Sequence, residues 1–317
     1  MKRQIAIGLA AAPWAIASAA IAMTAMTVMG VAVATNDMTT EDRMVSNETK
    51  IDDLRSLSTR FDHPEALQGW RELQVEGWVS KWETPKVENG QLVLRPKSSG
   101  WFEDNKAGHL YREVTGDFIV TTRLKVQGTN ATLPQRSFSL AGLFIRAPRT
   151  ITKENWTPKG ENWLFFSIGT AFPAGSPHFE IKSTYNSVST LKISEAKEGW
   201  VRLRVARSGE LFTLLYQEDG SREWKVLEQF IRPDLPETLN VGLTAYADWD
   251  SLAPDHPNYQ KYNERGAATQ NADLIAFVES IDFRRPVTPR FPVATLDPKI
   301  SFDPKLSEAR LRDLTAD

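Results

Sequence analysis

Asp117-Phe118-Ile119-Val120-Thr121-Thr122-Arg123-Leu124-Lys125-Val126 is the stretch that decides the fold. Phe118, Val120, Leu124 and Val126 share one face of an extended chain, and Thr121, Arg123 and Lys125 share the other. A strand with one buried side and one polar side follows. Residues 200–206 repeat the pattern, with Val201, Leu203 and Val205 inward and Arg202 and Arg204 outward. Around them, residues 61–286 form short alternating segments rich in Val, Ile, Phe, Trp and Thr, broken by Gly, Pro, Asn and Asp. Further strands are expected over 91–95, 109–113, 138–146, 162–168, 178–185, 188–193, 211–217, 223–231, 239–246 and 274–283. Glu218-Asp219-Gly220 joins two of these as an antiparallel hairpin. About a dozen antiparallel strands without helical crossovers close as two packed sheets, because one open sheet of that width leaves an apolar face in water. The expected class is all-β, a two-sheet antiparallel β-sandwich.

Several segments carry a family likeness. They are Phe61-Asp62 with Trp70, Ala141-Gly142-Leu143-Phe144-Ile145-Arg146, Asn162-Trp163-Leu164-Phe165-Phe166, Gly199-Trp200-Val201-Arg202-Leu203-Arg204, Val241-Gly242-Leu243-Thr244-Ala245 and Ile281-Asp282-Phe283. Together they resemble the concanavalin A-like lectin/glucanase superfamily in pattern, over about residues 61–286. The resemblance implies a jelly roll whose first and last strands lie side by side, and a structural calcium position at Asp62 with Asp282. The glucanase branch carries two catalytic carboxylates in a Glu-x-Asp-x-x-Glu run, since a retaining glycosidase needs nucleophile and acid about 5 Å apart. This chain has no such run. Glu279-Ser280-Ile281-Asp282 places its carboxylates on opposite faces of a strand, and Glu180 shares its face with Lys182, which reads as a salt bridge.

The flanks differ from the middle. Residues 5–34 carry no charge, follow Lys2 and Arg3, and precede the acidic run 36–42. This orientation places everything from about Thr35 outward, in a periplasm or at a cell surface. Ala32-Val33-Ala34 suits a signal peptidase, whereas the length suits a transmembrane anchor, so residues 1–34 are read as one or the other. Residues 35–60 read as a polar, partly helical spacer. Residues 287–317 read as a Pro-punctuated extended arm, with a short polar helix over about 305–314, able to tie the domain to a protein partner.

Composition narrows the chemistry. The chain has no cysteine, so export without disulfides fits a bacterial envelope. A net charge of -2 supplies no field for nucleic acid, which is excluded as a partner. His63, His109, His178 and His256 lack ligand spacing for zinc, and no phosphate-loop or nucleophile-elbow motif is present. Asp248, Asp250 and Asp255, in a loop with Asn258 and Asn263, offer the oxygen ligands that calcium requires; the competing reading is side chains closing local turns. No other cofactor is expected.

Ten tryptophans suggest both core filling and ring stacking. Trp70, Trp200 and Trp224 are expected between the sheets. Trp101, Trp156, Trp163 and Trp249 fall near loops or strand ends, where Arg146, Arg202, Arg204 and Tyr246 would add hydrogen bonds on the curved face. The long insertion 150–161 borders this groove. The expected function is a non-catalytic, extracytoplasmic sandwich binding a glycan or other polar ligand. The alternatives are a membrane-anchored accessory subunit of a larger membrane complex, and a glycan hydrolase using Glu180 or Asp248.

Overall fold

The computed structural model describes residues 53–288 and 306–317. The N-terminal apolar segment, most of the spacer and the Pro-rich part of the arm lie outside the described residues. Fifteen strands are formed among the described residues: β1 Thr59–Arg60, β2 Arg71–Glu72, β3 Lys86–Glu88, β4 Gln91–Leu94, β5 Leu110–Thr115, β6 Phe118–Gln127, β7 Ser139–Arg146, β8 Trp163–Thr170, β9 Pro177–Tyr185, β10 Val188–Glu195, β11 Val201–Ser208, β12 Leu211–Glu218, β13 Lys225–Ile231, β14 Thr238–Tyr246 and β15 Ile275–Arg284. Three α-helices accompany them among the described residues, α1 Trp249–Leu252, α2 Tyr259–Arg265 and α3 Glu308–Thr315.

The strands make two sheets. The first runs β13-β12-β11-β6-β15-β4-β3 with β1 paired to β15, and the second runs β10-β9-β8-β7-β14-β5-β2. Every pairing between these strands is antiparallel. The architecture fits the concanavalin A-like β-sandwich. Thr59 lies opposite Ile281, and the Phe61 amide donates to the Glu279 carbonyl at 2.9 Å, so the two ends of the sandwich meet. Alternation explains which side chains face inward: Val120, Leu124, Val201, Leu203 and Val205 of the first sheet join Leu143, Ile145, Leu164, Phe166, Val241 and Leu243 of the second in one core. Trp70 packs on this core.

Both outer faces are also covered. On the first sheet, Leu314 of α3 packs with Ile119, Ala206, Leu215 and Trp224. On the second, Trp101 and Ala107 pack with Leu140, Phe144, Trp163, Phe165 and Tyr246. The expectation for Trp200 and Trp224 is therefore corrected. Trp200 has the parity of Arg202 and lies beneath Arg123 and Lys125, 4.5 and 5.2 Å from its ring centre. Trp224 sits outside the first sheet with the Arg204 guanidinium 3.9 Å from its ring centre.

Candidate functional site

The outer face of the second sheet is built in cross-strand rows. Asn240, Arg146, Trp163 and Thr184 stand opposite one another, then Gly242, Phe144, Phe165 and Lys182, then Thr244, Gly142, Ser167 and Glu180. Residues 97–109 fold down onto these rows. Trp101 inserts its ring 4.5 Å from Phe144 and 6.0 Å from Trp163, and its Nε1 donates to Thr244 Oγ1 at 3.0 Å. Gly108 allows the close approach of this segment, since a Cβ there would lie 2.1 Å from the Trp82 ring.

Helix α2 and the loop before it clamp the segment in place. Tyr262 Oη donates to the Lys106 carbonyl at 2.9 Å, and Asn263 bonds both the Lys106 amide and the Asp104 carbonyl. Lys81 Nζ donates to the Tyr262 and Asn263 carbonyls at 3.0 and 2.7 Å. Burial, helped by the charge of Lys97, draws Lys81 down to about 7.

Beneath the segment, one carboxylate holds three cations. Glu161, fully buried, takes Arg146 through two bonds of 2.8 and 3.0 Å, Lys106 at 2.6 Å and Arg149 at 2.7 Å. Burial alone would raise the Glu161 carboxyl, but Arg146 and Lys106 together hold it well below the usual carboxylate range. Burial lowers Lys106 to about 8, with the Glu161 charge opposing. His109 is pushed well below its ordinary value by burial and then by Arg146, so it is a neutral ring in this layer.

An opening remains at one end of the covered face. It is a pocket of about 200 Å³ walled by Trp101, Phe102, Phe138, Leu191 and Trp249, with Tyr246 and Lys182 also lining it. Lys182 Nζ donates to Tyr246 Oη at 2.7 Å and to the Trp101 carbonyl at 3.1 Å, and lies 3.1 Å from Glu180 Oε1. Tyr246 Oη donates to the same Glu180 oxygen at 2.6 Å. The ammonium also stands within 6 Å of the ring centres of Phe102, Phe138 and Tyr246. Burial lowers Lys182, partly offset by Glu180, and burial with Glu180 raises Tyr246 well above its ordinary value. The lysine's three donors are thereby engaged, and the exposed lining is chiefly aromatic carbon. No carboxylate lines this pocket. Glu180 is fully buried below Tyr246.

The residues expected to form one binding surface are dispersed. Tyr246 and Trp249 reach the aromatic pocket. Arg146 and Trp163 are fully buried beneath the cover, committed to Glu161 and to the aromatic layer. Trp156 packs edge-on against Trp78 at 5.8 Å, away from the pocket lining. Arg202 and Arg204 lie on β11 of the other sheet, outside it, where alternation opposite Val201 and Leu203 directs them. Phe102, Phe138, Lys182 and Leu191 were missed by sequence reasoning. Lys182 carried a signal, a charged residue on a strand sharing its face with Glu180.

The carboxylates proposed for calcium have protein partners. Asp248 is fully buried, accepts from Ser98 Oγ at 2.6 Å and from Arg136 Nε at 2.8 Å, and pins the clamp loop to the sandwich. Asp250 faces Arg136 at 3.8 Å, and Asp255 holds Lys261 at 2.8 Å and the Ala268 amide at 3.1 Å. Asp62 meets Arg60 at 3.3 Å and Asp282 accepts from Ser280 at 3.1 Å. Among the described residues, no group of three or more His, Cys, Asp or Glu side chains is placed to hold a metal ion.

No family model matches the chain, and no curated protein matches it in sequence. Solved structures similar to it include a functionally unknown protein from Saccharomyces cerevisiae, at 14% identity over 70% of this chain and 99% of that one, TM-score 0.46. Xylan beta-1,4-xylosidase from Bacillus halodurans is similar at 15% identity over 72% of this chain and 39% of that one, TM-score 0.48. Basic winged bean lectin with Tn-antigen is similar at 14% identity over 71% of this chain and 95% of that one, TM-score 0.46.

Proposed function

We propose that this protein is a non-catalytic, extracytoplasmic binding module that takes a single ring-sized group, the terminal ring of a glycan, into the pocket between Phe102, Phe138 and Trp249. The observation that carries this reading is the pairing of that aromatic-walled opening with a covered sheet face. Aromatic carbon offers a stacking surface for the apolar side of a sugar ring. Trp101 and its neighbours fill the rest of the face, so a chain lying along the sheet has no room. Calorimetry with mono- to hexasaccharides tests this. Affinity is expected to be independent of chain length beyond the first ring and to fall at least tenfold in Trp249→Ala, on the order of one stacked ring. Absence of millimolar binding across a broad glycan panel, or affinity that grows with each added unit, overturns it.

A second reading is favoured by the uncharged run 5–34: an accessory subunit held in the membrane, with its C-terminal arm engaging a partner. Recovery of the intact N-terminus from membranes supports it; a soluble species beginning at Thr35 refutes it.

A further inference from the structure

A second cavity, of about 440 Å³, lies outside the first sheet, with Arg55, Arg202, Arg204 and Arg284 among its lining residues against two carboxylates, Asp282 and Asp317. Arg204 is the buried element. Its Nε donates to Thr121 Oγ1 at 2.7 Å, its Nη1 to the Leu314 and Ala316 carbonyls at 2.5 and 2.8 Å, and its Nη2 to Asp317 Oδ1 at 3.4 Å. Arg202 Nη1 reaches the same Asp317 oxygen at 3.0 Å. One carboxylate oxygen thus bridges two guanidinium groups. Arg284 turns to Asp313 at 2.9 Å, and Asp282 to Ser280.

We propose that this cavity is a binding site for a small oxyanion, a carboxylate, sulfate or phosphate group, whose place the Asp317 side chain now holds. Planar guanidinium pairs recognise such groups through parallel charge-assisted bonds. Asp317 fills the position weakly, because its side chain is 61% exposed and a carboxylate so open to water gains little from an ion pair. Arg204 is lowered to about 10 by burial and then by the neighbouring charge of Arg284, so its cation is under-compensated there. Arg202 Nη1 also donates to Gln217 Oε1 at 3.1 Å, and an oxyanion with two or three free oxygens would give each arginine a charged acceptor of its own where one Asp317 oxygen now serves both. This site is on the opposite sheet from the aromatic pocket and stands or falls separately.

The test is calorimetric titration of the full chain and of Asp317→Ala with sodium sulfate, inorganic phosphate and sodium glucuronate, at ionic strength held constant with sodium chloride. Vacating the position is expected to tighten binding of at least one probe about tenfold, the effect of one charge-assisted bond. Adding Arg202→Gln to Asp317→Ala is expected to reverse that gain. Glucuronate preference marks a sugar acid as the source, and sulfate or phosphate preference an inorganic or esterified group. Near-UV circular dichroism of Trp224 reports whether α3 stays docked, and Asp317→Asn repeats the titration if alanine loosens it. The inference is overturned if neither Asp317 variant binds any of the three more tightly than the parent, or if Arg202→Gln leaves the gain intact.

Discussion

Replacing Glu161 with Gln keeps the shape of the side chain and removes one negative charge from beneath the cover of the second sheet. Two of its three partners, Arg146 and Lys106, are themselves buried, with side chains 0% and 4% exposed. Removing one member of a buried pair costs about 3–5 kcal/mol, because the stranded charge has no water to return to. In a domain of this size each kcal/mol moves the melting temperature about 2–4 °C, so Glu161→Gln is expected to melt roughly 6–20 °C lower. Glu113→Gln, which loses a pair with Arg71 at the surface, serves as control and is expected to shift by less than about 4 °C. The double variant Glu161→Gln/Lys106→Met removes one stranded cation and is expected to recover part of the loss.

The pH dependence gives the same argument a second readout. The folded carboxyl of Glu161 is held well below its unfolded value of about 4.5. Its contribution is therefore full above pH 4.5 and disappears as pH falls through the folded value. Melting curves of parent and Glu161→Gln should converge on acidification. Calorimetric melts in which the two variants, Glu161→Gln and Glu113→Gln, are indistinguishable at pH 7 would refute the reasoning.

Three further outcomes are expected. Lys81 is lowered to about 7, so its contribution is greatest above its unfolded value near 10.5 and is lost as pH falls through about 7; the stability advantage of the parent over Lys81→Met, followed by thermal melts at pH 6, 7.5 and 9, should widen with rising pH, and a constant difference would count against it. Gly108→Ala forces a Cβ into the Trp82 ring and is expected to cost about 1–3 kcal/mol with a changed near-UV spectrum; an unchanged melt would mean the segment moves freely. Tyr246→Phe removes a donor from Glu180 and an acceptor from Lys182, costing about 1.5–3 kcal/mol in chemical denaturation, and a loss under 0.5 kcal/mol would show the pair to be satisfied otherwise.

Period-two alternation revealed most of the strands in the sequence. The expected segments 211–217 and 239–246 lie within one residue of β12 and β14 at each end, and the hairpin at Asp219-Gly220 pairs β12 with β13 as expected. Alternation says which residues share a face, but not which face water reaches. That is why Arg146 and Arg204 were assigned to one surface although they project from different sheets. A signal for the second core was nonetheless present. β7 and β8, Ser139–Arg146 and Trp163–Thr170, are apolar at nearly every position, the composition of strands covered on both faces. The identity of the cover was not readable, because residues 97–109 have no periodicity and reach the sheet through long-range bonds to Thr244, Tyr262 and Asn263.

The cover changes which side chains of the second sheet reach solvent. An open outer face would present Arg146 and Trp163 in one cross-strand row and Phe144 and Phe165 in the next, a mixed polar and aromatic surface. Here Glu161 neutralises Arg146 from the loop side while Trp101 stacks over Phe144, so both polar and aromatic elements of that surface are spent on internal packing. At the end where Tyr246 and Lys182 project, the cover is incomplete, and aromatic side chains from β14, α1 and the 97–109 segment line an opening of about 200 Å³. Lys182 is already held by Tyr246, Glu180 and the Trp101 carbonyl, so it fixes the floor instead of presenting a free charge. In the glycan-binding reading proposed above, selectivity would come from the fit of one ring between these aromatic walls. Removing the charge of Lys182 would therefore act first on the shape of the pocket floor.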